Sequence, residues 1–313
     1  MAGKRKGTYK ITNWRKYNAS LVQRGSITFW FDEDVVARWH HDNAEPRVGH
    51  PFVYSDSAIE CLLILRELFR LPYRQTEGLG RSLAKLMNID LAIPNYSSLA
   101  KRAAKLNISL DVTKRSGAID VVVDSTGLKV FGEGEWKMRK HGKSKRRTWR
   151  KLHLAVNPDT HEIEAEVLTD NSGHDADQVD DLLNQVKRPL KKFYGDGAYD
   201  QWKVYETLQT RKMTAIIPPR RNAKIKQHGN AGHPPLARDE AIRQIRLQGR
   251  RAWKEGSGYH RRSLAETAMY RMKICFGDGL KNHVIENQRA ETRIRSKILN
   301  KCTRLGLPQF EWN

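Results

Sequence analysis

Three acidic residues stand where the surrounding sequence gives an acid something to do. Asp124 closes the run AIDVVVD, Asp196 closes KKFYGD, and Glu266 lies inside YHRRSLAETAMYRMK, residues 259–273. Both aspartates are followed at once by turn formers, Ser125-Thr126-Gly127 and Gly197. A short β-branched run reads as a buried strand, and an acid at its end can project from the sheet edge while the strand stays covered. Two such carboxylates held side by side repel each other unless they share a proton or a cation. Two aspartates and a glutamate offer only oxygen ligands, which suit Mg²⁺ or Mn²⁺ rather than zinc.

Each acid also has a plain structural reading. A strand-end aspartate closes turns and caps helices. On a helix running through 259–273, Tyr259, Arg262, Tyr270 and Lys273 fall within about 40° of Glu266 at 100° per residue, with Leu264, Ala268, Met272 and Cys275 opposite. Yet Ser263-Leu264-Ala265-Glu266 also fits the S-x-x-E capping box, in which the glutamate folds back on its own helix start. That alternative would leave Tyr259 and Arg262 ahead of the helix. Local pattern leaves the two readings even. Asp170, Asp175 and Asp177, around TDNSGHDAD, read as loop and helix N-terminal acids, and His174 as a surface loop residue.

The elements that must carry these acids follow from periodicity. AIDVVVD, WRKLHLAVN and EIEAEVLTD read as strands, DADQVDDLLNQV as a helix, KKFYGD as a strand, QWKVYETLQTRK as a helix and TAIIPP as a strand. The order βββαβαβ, followed by a helix around Glu266, predicts a mixed sheet with helices on both faces. Its first and fourth strands, which carry Asp124 and Asp196, would be neighbours. Upstream, DSAIECLLILRELFRL, RQTEGLGRSLAKLMNI and YSSLAKRAAKLN read as helices. Helix, turn, helix, with Ser97, Ser98, Lys101 and Arg102 on the last, is the pattern of a helix-turn-helix DNA reader; a plain helical bundle is the alternative.

Charge points to the partner. The 313 residues carry a formal net charge of +22 and a pI near 10.0. An excess of that size suits a protein that lies along phosphates and displaces their counterions. Residues 1–20 hold six basic residues and no acid, and read as a basic arm. Residues 137–151, including Arg146 and Arg147, hold nine Lys/Arg and no acid; residues 220–254 hold ten against two acids. Both read as basic loops that grip a phosphate backbone. Cys61, Cys275 and Cys302 form no CxxC pair, which points away from zinc and disulfides and toward a reducing cytoplasm. No window reaches 18 apolar residues, so no membrane span is expected.

On these residues the chain resembles the DDE transposases of bacterial insertion sequences, in particular the insertion-sequence-five family and its nine-oh-three-like branch. Tyr259, Arg262, Glu266 and Lys273 fit every gap of that family's Y-x2-R-x3-E-x6-K signature. VDSTGLKV (123–130) resembles its first-Asp segment and GDGAYD (195–200) its second. The start KITNWRKYNASLVQRGSITFWFDE is similar to the start of these proteins, so the likeness covers nearly the whole chain. The resemblance implies an RNase H-like catalytic domain over 117–313 with a basic insertion at about 220–254. A helical DNA-binding domain over 21–116 and the arm over 1–20 would precede it. It implies Asp124, Asp196 and Glu266 as a catalytic triad holding two Mg²⁺ or Mn²⁺ ions, with Tyr259, Arg262 and Lys273 contacting DNA. The partners implied are the transposon's terminal inverted repeats, target DNA and a second copy of the chain in a synaptic dimer. The rival readings are a structure-specific nuclease of the same fold, a domesticated DNA-binding protein without chemistry, and an RNA-binding protein.

Overall fold

The computed structural model describes residues 9–44, 49–130, 149–227 and 235–312. Contacts divide the chain into two compact units, Met1–Ile108 with Lys297–Asn313, and Ser109–Ser296. No helix among the described residues is long and apolar enough to cross a membrane.

The first unit is helical. A short strand β1 (Tyr9–Ile11) pairs antiparallel with the C-terminal strand Phe310–Trp312. It is followed by α1 (Trp14–Arg24), α2 (Ile27–Trp30), α3 (Glu33–Ala37), α4 (Asp56–Leu68), α5 (Tyr73–Leu86) and α6 (Tyr96–Ala103). The described part of the expected basic arm is therefore ordered: residues 9–11 are held by strand pairing and 14–20 by a helix. Residues 1–8 lie outside the described residues. Side chains set the helix starts. Ser55 Oγ accepts from the Ala58 N–H at 3.1 Å, and Asn95 Oδ1 from the Ser98 N–H at 2.8 Å, each satisfying one orphan donor of a first turn. Helix α4 is the core element, with Ile59, Leu62 and Leu65 fully buried. Burial pushes its Cys61 thiol up to about 12, so that cysteine behaves as an inert apolar group.

The second unit is built on a sheet. Its elements are β2 (Ile119–Val130), β3 (Trp149–Val156), β4 (Ile163–Asp170), α7 (Val179–Gln185), β5 (Leu190–Tyr194), α8 (Trp202–Thr210), β6 (Thr214–Ile216), α9 (Ala237–Gly256), α10 (Ser263–Phe276) and β7 (Gly279–Leu280). Helix α11 (Ile285–Leu305) begins here, and the chain from Lys297 onward counts with the first unit. The strand order is β4-β3-β2-β5-β6, with β7 pairing the far end of β2. Strands β2, β3 and β4 form an antiparallel meander, while β5 and β6 run parallel to β2. This is the RNase H-like order, and the expected βββαβαβ succession and neighbouring first and fourth strands are present.

Period-two alternation decides what each face of β2 does. Ile119, Val121 and Val123 enter an apolar cluster with Ala155, Ala165, Val179, Leu182, Val204 and Leu208, so α7 and α8 cover one face. Asp120, Val122 and Asp124 take the other face, toward the 3₁₀ turn Tyr259–Arg262 and α10. Helices thus lie on both faces. Buried Glu166 accepts from Thr292 Oγ1 of α11 at 3.1 Å and also takes the Ser296 hydroxyl. Burial raises its pKa, which those two hydroxyls partly oppose.

One expectation of element type fails. The basic stretch 220–254 is not a loop throughout, because from Ala237 it is the 20-residue helix α9, kinked at Gly249 (φ +85°, ψ 155°). Its amphipathic pattern was hidden by the arginines. Buried Ala241, Ile242 and Trp253 face inward, and the fully buried Asp239 carboxylate accepts the N–H groups of Lys226 and Gln227. In the other basic stretch, Trp149–Lys151 already belong to β3, while Arg146 and Arg147 lie outside the described residues.

Candidate active site

Asp124 is not at a strand end. Strand β2 runs six residues beyond it, paired to β3 throughout and to β7 at Lys129–Val130. What ends near Asp124 is its other neighbour, because the parallel pairing with β5 stops at Val122↔Tyr194. Asp124 therefore faces the notch that opens where β5 leaves the sheet, and Asp196, two residues past Tyr194, stands in the chain that turns away there. Asp196 Oδ1 accepts the Ala198 N–H at 2.8 Å and caps the short 3₁₀ turn Gly197–Tyr199. Its turn-capping role and its place beside Asp124 coexist. Gly195 between them admits no side chain, since an added Cβ would lie 2.8 Å from Tyr199 Cδ2 and 2.9 Å from Phe193 Cε1. The two rings behind it fix the direction in which the turn leaves β5.

Glu266 arrives from a third segment. Gly258 adopts a left-handed conformation (φ +71°) that a side chain disfavours, and this breaks the path from α9 toward α10. The chain then makes the 3₁₀ turn Tyr259–Arg262 before α10 starts at Ser263. Tyr259 therefore does not share a helical face with Glu266, whereas Arg262, in helical conformation at the start of α10, keeps its i,i+4 place beside it. The capping box does not form either. Ser263 Oγ donates to the His260 carbonyl at 3.0 Å, and the Glu266 carboxylate is taken by the Arg262 guanidinium. Of the expected buried back, Ala268 and Met272 are buried, Leu264 is half-buried and Cys275 is exposed.

Arg262 is the pivot of the site. Nη2 donates to Glu266 and Nη1 to Asp124 Oδ2 at 3.3 Å, so one guanidinium spans two of the three acids. Asp124 is raised above the ordinary carboxylate range. Burial is the largest cause, opposed by the Ser125 N–H that it accepts at 2.8 Å. The charges of Asp196 and Glu266 push it the same way as burial, and Arg262 pulls it down. Asp196 and Glu266 thus both act on Asp124 at one end of the sheet. Yet among the described residues no three His, Cys, Asp or Glu side chains form a group that could hold an ion. The donor set, three carboxylates, fits a hard divalent cation. The Arg262 guanidinium stands between Asp124 and Glu266, where such a cation would have to bind.

That raised pKa makes Asp124 a stability cost with a defined sign. A carboxyl whose folded pKa lies above its unfolded value stabilises fully below the unfolded pKa, and that contribution is lost as pH rises through the folded one. The metal-free Asp124→Asn protein is therefore expected to melt at a higher temperature than the wild type at pH 7, with the advantage gone near pH 3. Thermal melts at the two pH values check this. An advantage of equal size at both would show that burial of the charge is not the cause.

Around these acids the expected contact residues divide. Tyr259 is half-buried, its ring 6.2 Å from that of Trp253, with Lys254 Nζ 5.0 Å and the Arg262 guanidinium carbon 5.9 Å from its centroid. Burial is the main reason its hydroxyl pKa is raised. Lys273 is about 10 Å further along α10 than Glu266 at 1.5 Å per residue, and its charge acts on Asp278. In the helical unit Ser97 and Lys101 are exposed on α6, Ser97 Oγ donating to Asn95 Oδ1 at 2.9 Å, and Ser98 is half-buried. Arg102 is spoken for. It donates to the Tyr54 carbonyl at 3.0 Å, pairs with Asp56 and stacks 3.8 Å over Phe52, so it already has partners within its own unit.

The partners of other polar groups of the unit were not legible in the sequence. Asp200, nearly buried, receives the Arg238 guanidinium at 2.7 Å, the Arg220 N–H at 2.8 Å and the Tyr205 hydroxyl at 3.2 Å, anchoring the start of α9. Asp175 takes Lys151 Nζ at 2.8 Å, so this acid of the TDNSGHDAD stretch is a structural partner of β3. Asp120 and Arg261 join β2 to the turn before α10. Asp120 left a trace in the sequence as an acid four residues before Asp124 in an otherwise apolar strand.

Comparison with known proteins bears on the same residues. A family model described as a transposase DDE domain matches residues 115–300, more than half of the chain, and a second of the same description matches residues 22–133. Among solved structures, a piggyBac transposase synaptic complex with hairpin DNA is similar over 94% of this chain and 76% of its own, at 11% identity and a TM-score of 0.41. A Mos1 strand transfer complex is similar over 86% and 83%, at 10% identity and a TM-score of 0.26. A Mos1 paired-end complex with Mn is similar over 92% and 86%, at 10% identity and a TM-score of 0.23.

Proposed function

This chain belongs to the DDE transposase family, and we propose that it cuts the ends of an insertion sequence and joins them to target DNA. The finer placement in the insertion-sequence-five family, nine-oh-three-like branch, is part of the same proposal. Asp124, Asp196 and Glu266 are its catalytic acids. One observation carries the reading: three acids from three separate chain segments converge at one end of the sheet, two of them on a single guanidinium. A structural network would leave that guanidinium buried and committed. Here Arg262 is 23% and Glu266 52% exposed, so the pair can open.

Asp124, Asp196 and Glu266 would hold two Mg²⁺ or Mn²⁺ ions, which would activate the attacking hydroxyl and carry the charge of the departing 3′ oxygen. The protein's own part is positioning and charge. Asp196 keeps one carboxylate oxygen on the Ala198 N–H and Asp124 one on the Ser125 N–H, so each acid is pre-aimed by its backbone. Arg262 leaves the acids for a phosphate beside the scissile bond, an exchange of one anion for another that keeps the guanidinium paired. Tyr259, propped by Trp253 and Lys254, presents an aromatic face for a base at the cut end. Lys273 serves a phosphate further along the duplex. The helical unit, with Ser97, Ser98 and Lys101 exposed or half-exposed on α6, reads the inverted repeats. The basic stretch 137–151 and helix α9 hold backbone, which positions without specifying. Two ends and one target call for two copies of the chain.

The test is direct. Purified protein, Mg²⁺ and a duplex bearing the inverted repeat that flanks the gene should give 3′-hydroxyl ends, and those ends should appear joined to a target plasmid on a sequencing gel. Cleavage without joining would instead support a structure-specific nuclease.

A further inference from the structure

The three acids ride on β2, on the turn after β5 and on α10. Strand pairing fixes the first two against each other, with Asp120↔Lys192, Val121↔Phe193 and Val122↔Tyr194 in parallel register. The third is paired to β2 only past its far end, where β7 meets Lys129–Val130. At its near end, among the described residues, a cross-tie reaches from the turn before α10 to both strands. Arg261 Nη1 donates to Asp120 Oδ2 at 3.0 Å, and the Tyr194 hydroxyl donates to the same oxygen at 3.3 Å. The Arg261 guanidinium also lies 5.9 Å from the Tyr194 ring centroid, and its other nitrogen pairs with Asp159 in the β3–β4 turn.

The positions of these residues are the point. Asp120 is four residues before Asp124 and on the same face of β2. Tyr194 is two residues before Asp196, and Arg261 five before Glu266. One ion pair therefore joins all three acid-bearing segments, roughly 13 Å below the acids at 3.3 Å per strand residue. Consecutive arginines then divide the labour: Arg261 reaches down to Asp120 while Arg262 reaches up to Asp124 and Glu266. The Asp120 side chain is 11% exposed against 62% for Asp159, so the Asp120 arm is the one shielded from water and the one able to set a geometry.

We propose that Asp120 and Arg261 are a positioning pair that holds the Glu266 helix in register over Asp124 and Asp196, so that the three carboxylates close on divalent metal once Arg262 has left them. This rests on the reading of those acids given under Proposed function. Neither residue touches the reacting atoms; both act through the segments they tie. Guanidinium geometry matters, because the planar group donates to Asp120 while lying near the Tyr194 ring, which an ammonium does not reproduce.

The test titrates Mn²⁺, followed by electron paramagnetic resonance, into the protein bound to its end duplex. Single-turnover cleavage, duplex affinity and thermal midpoint are read alongside for wild type, Asp120→Asn, Arg261→Gln, Arg261→Lys and Asp159→Asn. Asp120→Asn and Arg261→Gln should each weaken Mn²⁺ binding and slow cleavage by about 10- to 100-fold, the range for groups that orient metal ligands, with duplex affinity unchanged. Arg261→Lys should fall between them and wild type, and Asp159→Asn should match wild type. Mn²⁺ binding and cleavage at wild-type levels in Asp120→Asn and Arg261→Gln would overturn the proposal, as would losses matched by equal losses of duplex affinity. Should Asp120→Asn fail to fold, Arg261→Gln decides by the same criteria. A wild-type protein that takes up no Mn²⁺ overturns the metal reading and the pair's role with it, whereas uptake equal in wild type and variants overturns the pair alone.

Discussion

Glu266→Gln is expected to bind end-bearing DNA as the wild type does and to cut it at least ~10³-fold more slowly. The substitution is nearly isosteric, and the amide oxygen can still accept from Arg262, so the fold and the closed arrangement of the site survive. What is lost is one of three charges. An ion at a phosphoryl centre is worth several kcal/mol of transition-state stabilisation, and each 1.36 kcal/mol is a factor of ten. Gel-shift affinity and single-turnover cleavage with Mg²⁺ measure the two sides separately. A variant that still nicks the duplex at the wild-type rate removes Glu266 from the mechanism. It would leave the glutamate as a partner of Arg262 and nothing more.

Arg262→Gln should separate two roles of one side chain. In DNA-free protein the guanidinium occupies the space between Asp124 and Glu266. Removing it exposes both carboxylates to solution cations, and Mn²⁺ uptake without DNA should tighten by roughly five- to tenfold. That is the worth of one partly exposed ion pair of about 1 kcal/mol, at 1.36 kcal/mol per decade. Cleavage should move the other way and fall about 10²-fold, because the phosphate that Arg262 is proposed to take loses a charge-assisted forked partner worth about 1.5–3 kcal/mol. Tighter metal with slower cutting is a combination that general destabilisation does not produce. Unchanged Mn²⁺ uptake would show that the guanidinium does not stand in the cation's place.

The resolution of Asp239 and Asp200 shows why some of the molecule was invisible to pattern reading. Both acids are buried and fully used, holding the start of α9 through the N–H groups of residues 226 and 227 and through Arg238. In the sequence Asp239 is one of two acids in the basic run 220–254, which reads as a solvated charge run, and Asp200 is only the last residue of GDGAYD. A charge run and an anchored helix differ only in what lies across from them, which periodicity does not contain. Arg102 hides its partners for the same reason. It sits on the face of α6 expected for a reader, but Asp56, Tyr54 and Phe52 claim it from 46 or more residues away.

The site was legible to a definite depth. Asp124, Asp196 and Glu266 were singled out by residue type and by the strands and helix around them, and the order βββαβαβ followed from local periodicity. Those are short-range properties: a β-branched run is a strand wherever it is buried, and a carboxylate is a hard ligand in any fold. The sequence alone also carried the Y-x2-R-x3-E-x6-K gaps, which attach a family whatever conformation they adopt. Tertiary structure decided the rest, because each remaining question depended on a distant partner. Asp124 faces an opening only because β5, some 70 residues later, is short enough to stop at Tyr194. Tyr259 left the helix of Glu266 because the chain makes a 3₁₀ turn before α10 starts, while Arg262 stayed in line with it. Glu266 takes the Arg262 side chain rather than a backbone N–H of its first turn, and the same guanidinium donates to Asp124, 138 residues away in the chain.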